Sequence, residues 1–144
     1  MNPDKELKAL ACYRFEQSLE CLQSARVLAG CNDYRGAANR SYYAFFHAMR
    51  SVFALYNKDF SKHSGVAANF RKDFIKNGTF DVVFSDMIKS AFYIRNNSDY
   101  DDFYVISKSD VQEQIKNAEV FCTAVRDFLE QNGVELQNNC DNEK

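Results

Sequence analysis

The sequence predicts an all-α protein, a bundle of long helices in a single domain, and three observations carry that reading. Among 144 residues there are one proline and five glycines. These are too few turn formers for a β-sandwich or barrel, which needs a turn signal every ~8–12 residues. Hydrophobic residues make up 46% and charged residues 26%, a balance that supports a core and excludes a disordered chain. Over long stretches the apolar residues recur at threes and fours, the period of an amphipathic helix. The length suits one domain, expected over residues 1–133, with 134–144 a polar tail expected to be disordered.

Each element has its own signals. Asn2-Pro3-Asp4 reads as an N-cap, a proline in the first helical position and an acid in the first turn. Leu7, Leu10, Arg14, Ser18, Leu22 and Ala25 follow at helical spacing, and Gly30 is expected to stop the helix in the left-handed conformation. Asp33 can cap the second helix, whose stripe is Ala37, Ser41, Ala44, Ala48, Val52 and Leu55. Small residues in that stripe predict close approach of a neighbour. Tyr42, Tyr43, Phe45 and Phe46 make other faces aromatic, so this helix is central or lies in an oligomer interface. Ser64 is expected to cap a shorter helix bearing Val66, Phe70 and Phe74, ended by Gly78. Thr79 is expected to start the next, with Val83, Met87, Ala91 and Ile94, and Asn96 to Asp102 to form a loop. In the last helix Ser109 and Gln112 suggest a capping box. Val111, Ile115, Ala118, Cys122, Val125 and Leu129 then make a strict apolar seam, stopped by Gly133.

Several function classes fall away. The formal net charge is −2, so nothing global attracts nucleic acid, although a local basic cleft is allowed. Cys12, Cys21, Cys31, Cys122 and Cys140 contain no CxxC pair and fit neither a zinc site nor a disulfide framework. They read as buried or incidental thiols in a reducing compartment. The start MNPDKELKAL has no apolar signal region, and no apolar run reaches membrane-spanning length. A cytoplasmic protein without membrane contact is expected. The glycines are too scattered for a phosphate loop, and there is no Glu-x-x-His pair or Gly-x-Ser-x-Gly elbow. Neither a cofactor nor a metal is expected.

What remains is arginine, histidine and tyrosine. Arg40 and His47 lie seven positions apart, nearly two helical turns, so they project from one face about 10 Å apart. Tyr43 lies between them and Arg50 continues the face. Such a pair suits a metal-independent ribonuclease: the imidazole takes a proton from a 2′-hydroxyl while the guanidinium holds the phosphate. A satisfied polar histidine at a helix interface has the same spacing. The second constellation, Arg95-Asn96-Asn97-Ser98-Asp99-Tyr100, puts a cation, an acid and a phenol at the end of a helix. It also suits a helix terminus steadied by Arg95 with Asp99 as its salt-bridge partner.

Four segments in order carry a resemblance. Arg40-Ser41-Tyr42-Tyr43-Ala44-Phe45-Phe46-His47, Lys62-His63-Ser64-Gly65, Arg95-x-x-x-Asp99-Tyr100, and Ser107 ahead of a helix with Ala118 and Phe121 resemble the HEPN domain family. The similarity is to its small stand-alone branch and spans residues from about 5 to 131. It implies an up-and-down four-helix bundle with an additional short helix that pairs as a homodimer. Many members are ribonucleases or ribonuclease-like toxins, often encoded beside a minimal nucleotidyltransferase that acts as antitoxin. Others bind nucleotides or RNA. Catalytic members carry an Arg-x4-6-His motif facing the dimer mate. Here Arg95 is followed by Asp99 and Tyr100, with no histidine in that place.

Three functions stay open at this level. In a toxin-type ribonuclease, His47 or Tyr100 would move the proton, Arg95 and Arg40 would clamp phosphate, and Asp99 would orient. In a non-catalytic module, Arg40, Tyr43, Arg95 and Tyr100 would line a cleft for a nucleotide or RNA, or the chain would partner a nucleotidyltransferase. In a bundle without a site, the aromatics of the second helix would only dimerise.

Overall fold

The computed structural model describes residues 3–136, and every regular element among them is helical. The elements are α1 (Pro3–Gly30), α2 (Tyr34–Ala54), α3 (His63–Phe70), α4 (Val83–Tyr100) and α5 (Lys108–Gln131). α3 runs on into a π-helical turn, Arg71–Ile75, closed by the Lys76 N–H on the Arg71 carbonyl at 2.8 Å. Four long helices form the up-and-down bundle and α3 is the short addition. No described helix is long and apolar enough to cross a membrane.

α2 is the central helix: it packs against α1, α3, α4 and α5, and thirteen of its 21 residues are buried. Ala37, Ser41, Ala44, Ala48 and Val52 are each 0% exposed, as the small-residue stripe requires. Tyr42, Phe45 and Phe46 are also buried inside the chain. Of the two roles open to an aromatic α2, the structure gives it the central one, and of those aromatics only Tyr43 is left half-exposed. The seam of α5 is buried throughout, from Val111 to Leu129. Beside it Phe121 meets the rings of Phe45, Phe70, Phe80 and Phe84 at centroid distances of 5.3, 5.6, 6.2 and 5.3 Å.

The helix ends are where expectation and structure part. Gly30 is the last residue of α1 but does not take the left-handed conformation; Asn32 does, at φ 66°. The Asn32 N–H reaches the Ala29 carbonyl and the Asp33 N–H the Leu28 carbonyl, a Schellman closure with asparagine in the left-handed place. Asp33 caps α2 as expected, accepting from the Gly36 N–H at 2.9 Å. A Cβ on Gly36 would come within 2.6 Å of that carboxylate. Ser64 is not the cap of α3. The Lys62 carbonyl already accepts from the Gly65 and Val66 N–H groups, so the helix starts at His63 and Ser64 lies within it.

Thr79 does not start α4 either. Phe80 is buried and its N–H is tied to the Phe74 carbonyl, so the helix waits until Val83, whose N–H is held by the Asp81 carboxylate at 2.9 Å. The buried residues of α4 are Phe84, Ile88, Ala91 and Ser98. Ala91 is buried as expected, whereas Phe84 and Ile88 take the places expected for Val83 and Met87, and Ile94 is only partly buried. α4 also continues to Tyr100, through most of the expected loop. The Asn97 amide folds back onto the Tyr93 carbonyl at 2.8 Å, and Ser98 is buried. Arg35 of α2 donates to the carbonyls of Ser98, Asp101 and Tyr104, so an arginine from a neighbouring helix satisfies the end of α4. α5 is capped by Ser107, which accepts from the Asp110 N–H at 3.0 Å, not by Ser109 with Gln112.

Gly133 ends α5 at φ 85° as expected. The Val134 N–H returns to the Leu129 carbonyl and Val134 is buried, so the packed chain reaches past Gly133. Asn2, Cys140 and the rest of the expected tail beyond Leu136 lie outside the described residues.

Candidate functional site

Tyr43 is the meeting point of the two sequence constellations. From its own helix, the Arg40 guanidinium lies 5.1 Å from the Tyr43 ring centroid, stacked in cation–π fashion. From α4, the Arg95 guanidinium lies 5.7 Å from the same ring, and its Nη2 donates to the Tyr43 hydroxyl at 3.3 Å. Arg95 also covers Tyr42 at 5.3 Å and Tyr100 at 5.8 Å. Arg40, Tyr43, Arg95 and Tyr100 therefore form one contiguous patch across α2 and α4.

Arg95 and Asp99 are one helical turn apart and pair at 3.0 Å through Nε. This is an ion pair by distance; the Nε–H is not aligned on the carboxylate as a hydrogen bond. The arginine side chain is only 14% exposed, whereas Tyr100 is 73% exposed. The patch thus has a sunken cation and an open phenol. Arg40 differs from Arg95. Its donors go to the Asn39 side-chain oxygen and to Cys21 Sγ, and among the described residues no carboxylate pairs with it. A cleft of about 380 Å³, lined among others by Arg35, Asn39, Arg40, Ser98 and Asp99, opens beside the patch on its Arg40 and Asp99 side.

His47 sits farther in. Its ring lies 6.0 Å from Tyr43 and 5.3 Å from Phe46, and its Nδ1 is buried with no hydrogen-bond partner among the described residues. Burial and then the charges of Arg50, Arg40, His63 and Arg14 push its pKa down to about 4. Arg50, expected to extend the face, turns to Asp59 at 3.0 Å, which also holds Arg14 at 3.3 Å. Burial likewise pushes Tyr42 up to about 12, partly offset by Arg95.

The residue that spacing does not nominate is His63. It is the first residue of α3, and α3 lies against α2. Its ring is 4.2 Å from Phe46, 5.4 Å from Tyr43 at 88°, and 6.1 Å from Tyr42. His63 and Arg95 therefore flank the same pair of tyrosines. Burial first, then Arg95 and Arg50, holds its pKa below the usual histidine value. Its only signal in the sequence is the segment Lys62-His63-Ser64-Gly65, which no helical period connects to Arg95. Among the described residues no group of three or more His, Cys, Asp or Glu is placed to hold a metal ion.

Fold and site together define an all-helical domain that concentrates arginine, histidine and tyrosine where α2, α3 and α4 meet. The family model described as the HEPN domain matches residues 11–128, and the chain belongs to that family. It is 30% identical to a protein of Thermotoga maritima named "UPF0332 protein", across 82% of this chain and 89% of the relative. Two proteins of Methanocaldococcus jannaschii, "Putative toxin MJ0142" and "Putative toxin MJ0605", are each 27% identical. They cover 79% and 88% of this chain, and 78% and 91% of their own lengths.

Proposed function

We propose that this HEPN protein is an RNA-directed toxin-type component of a toxin–antitoxin or defence system, acting as a metal-independent ribonuclease. The observation that carries the reading is the meeting of Arg40 and Arg95 over Tyr43, supported by the relatives named as putative toxins. Two guanidiniums converging on one aromatic platform suit a phosphodiester flanked by a stacked base. Arg40, which pairs with no carboxylate among the described residues, receives the phosphate first. Arg95 stabilises the charge that builds on it, and Asp99 holds Arg95 in place. The open Tyr100 offers a ring face to a neighbouring base, while Tyr43 holds the two guanidiniums together. The working form is a homodimer, restrained by a nucleotidyltransferase antitoxin. The dimer needs a surface other than Tyr42, Phe45 and Phe46, which the chain itself buries.

A second reading, a non-catalytic nucleotide- or RNA-binding module, is favoured by one feature. Arg95 is already engaged by Asp99 and three rings, an arrangement that serves binding without turnover. Incubation of purified protein with a labelled total-RNA pool in EDTA separates the two. The ribonuclease reading expects cleavage that falls by roughly 10²-fold or more in Arg95→Ala. RNA bound but left intact by the wild type establishes the module instead.

A further inference from the structure

We propose that His63 is the group that takes the proton from the attacking hydroxyl of RNA, a role for which spacing nominates His47 or Tyr100; the proposal rests on the ribonuclease reading above. Placement is the first argument. A proton acceptor must lie beside the phosphate clamp, and His63 packs edge-on to Tyr43, the ring that Arg40 and Arg95 share. It arrives from a third helix, so the site gains a histidine although the segment after Arg95 has none.

Comparison with the other nominees is the second argument. His47 has a buried, unpartnered Nδ1 and three arginines acting on it, so it is neutral but a weak base. Tyr100 is 73% exposed and touches the clamp only through Arg95 at 5.8 Å, so it stands at the open rim of the patch and not beside the ring that the two arginines share. The groups facing His63 are Tyr42, Tyr43, His47 and Arg50 of α2 and Arg95 of α4. None is a carboxylate that would hold its imidazole protonated. Burial, Arg95 and Arg50 lower its pKa, so its imidazole is neutral near pH 7 and able to accept a proton. Unlike His47 it has no buried, unpartnered ring nitrogen among the described residues.

The step balances without a further reagent. His63 accepts the 2′-hydroxyl proton and the 2′-oxygen forms a bond to phosphorus. The bond from phosphorus to the 5′-oxygen breaks, and that oxygen leaves with the electron pair and takes a proton from water. The proton on His63 neutralises the hydroxide so formed. The products are a 2′,3′-cyclic phosphate and a 5′-hydroxyl, with no change of oxidation state.

The test is RNA cleavage in EDTA by the full chain and by His63→Gln, His63→Ala and His47→Gln, followed across pH. His63→Gln is expected to lose roughly 10²–10⁴-fold in turnover while KM for RNA stays near the wild-type value, since the clamp arginines are untouched. The wild-type rate falls as pH drops through the lowered His63 pKa. That acid limb should vanish in His63→Gln and persist in His47→Gln. Added imidazole should restore part of the activity of His63→Ala, which a packing role would not allow. Unchanged cleavage by His63→Gln, or an acid limb that survives it, overturns the proposal. Absence of cleavage by the wild type removes the ribonuclease reading first, and this assignment with it.

Discussion

Asp59 is the residue whose loss tests the electrostatic frame of the site most directly. Its carboxylate lies between two guanidiniums, Arg50 at 3.0 Å and Arg14 at 3.3 Å, and Arg14 also donates to the Arg50 carbonyl. The Arg14 side chain is 11% exposed and that of Asp59 is 51% exposed. Removing one partner of a fully buried pair costs about 3–5 kcal/mol, and a fully exposed pair is worth only ~0–1 kcal/mol. With one buried and one half-exposed partner, Asp59→Asn should cost roughly 1–2 kcal/mol by the same reasoning. Nearly all of it comes from stranding the Arg14 charge.

The pH dependence follows from the direction of the Asp59 shift. Its pKa is lowered, chiefly by the hydrogen bond from Arg50. The stabilisation is therefore present above the unfolded carboxylate value of about 3.9 and is lost as pH falls through the lower folded value. Urea denaturation of wild type and Asp59→Asn should show the full difference near neutral pH and a shrinking one on acidification. Arg14→Met added to Asp59→Asn should recover part of the loss by removing the stranded charge. A single variant within ~0.5 kcal/mol of wild type, or a gap that widens in acid, would refute the account.

Two further predictions concern the frame around the site. Phe121→Ala removes a 0%-exposed ring that touches four other phenylalanines and should cost about 3–5 kcal/mol in chemical denaturation. Arg35→Ala frees the carbonyls of Ser98, Asp101 and Tyr104. Amide hydrogen exchange from Asn97 to Ile106 should accelerate by ~10-fold or more while α5 keeps its protection.

The fold was legible wherever one helix meets the core along a regular period. The seam of α5 and the small-residue stripe of α2 are read directly from spacing, because a residue repeated at threes and fours returns to the same buried side. Most misreadings fall at helix ends, where local chemistry offers several solutions and tertiary contacts choose one. The other is in α4, where Phe84 and Ile88 are buried in place of Val83 and Met87. Asn96 to Asp99 carry loop-forming side chains, yet they stay helical because Ser98 is buried and Arg35 satisfies the carbonyls beyond. Ser107 and Ser109 are equally good caps by composition. The chain uses Ser107.

The site was legible in two halves and not as a whole, for a reason that also explains His63. Arg40, Tyr43 and His47 share a face because they share a helix, and Arg95 reaches Asp99 because they are one turn apart. No period within a helix says that α4 crosses α2 at Tyr43. That contact is set by packing, in which the buried Tyr42 and Ala91 belong to one core. The same holds for α3, whose first residue meets the tyrosines only because Val66, Ala67 and Phe70 anchor that helix in the core. A histidine missing from the segment after Arg95 is thus no measure of what the assembled site contains. Of the two histidines in the chain, the one on the same helix as Arg40 is sunk among arginines. The one from α3 stands beside the ring on which Arg40 and Arg95 meet.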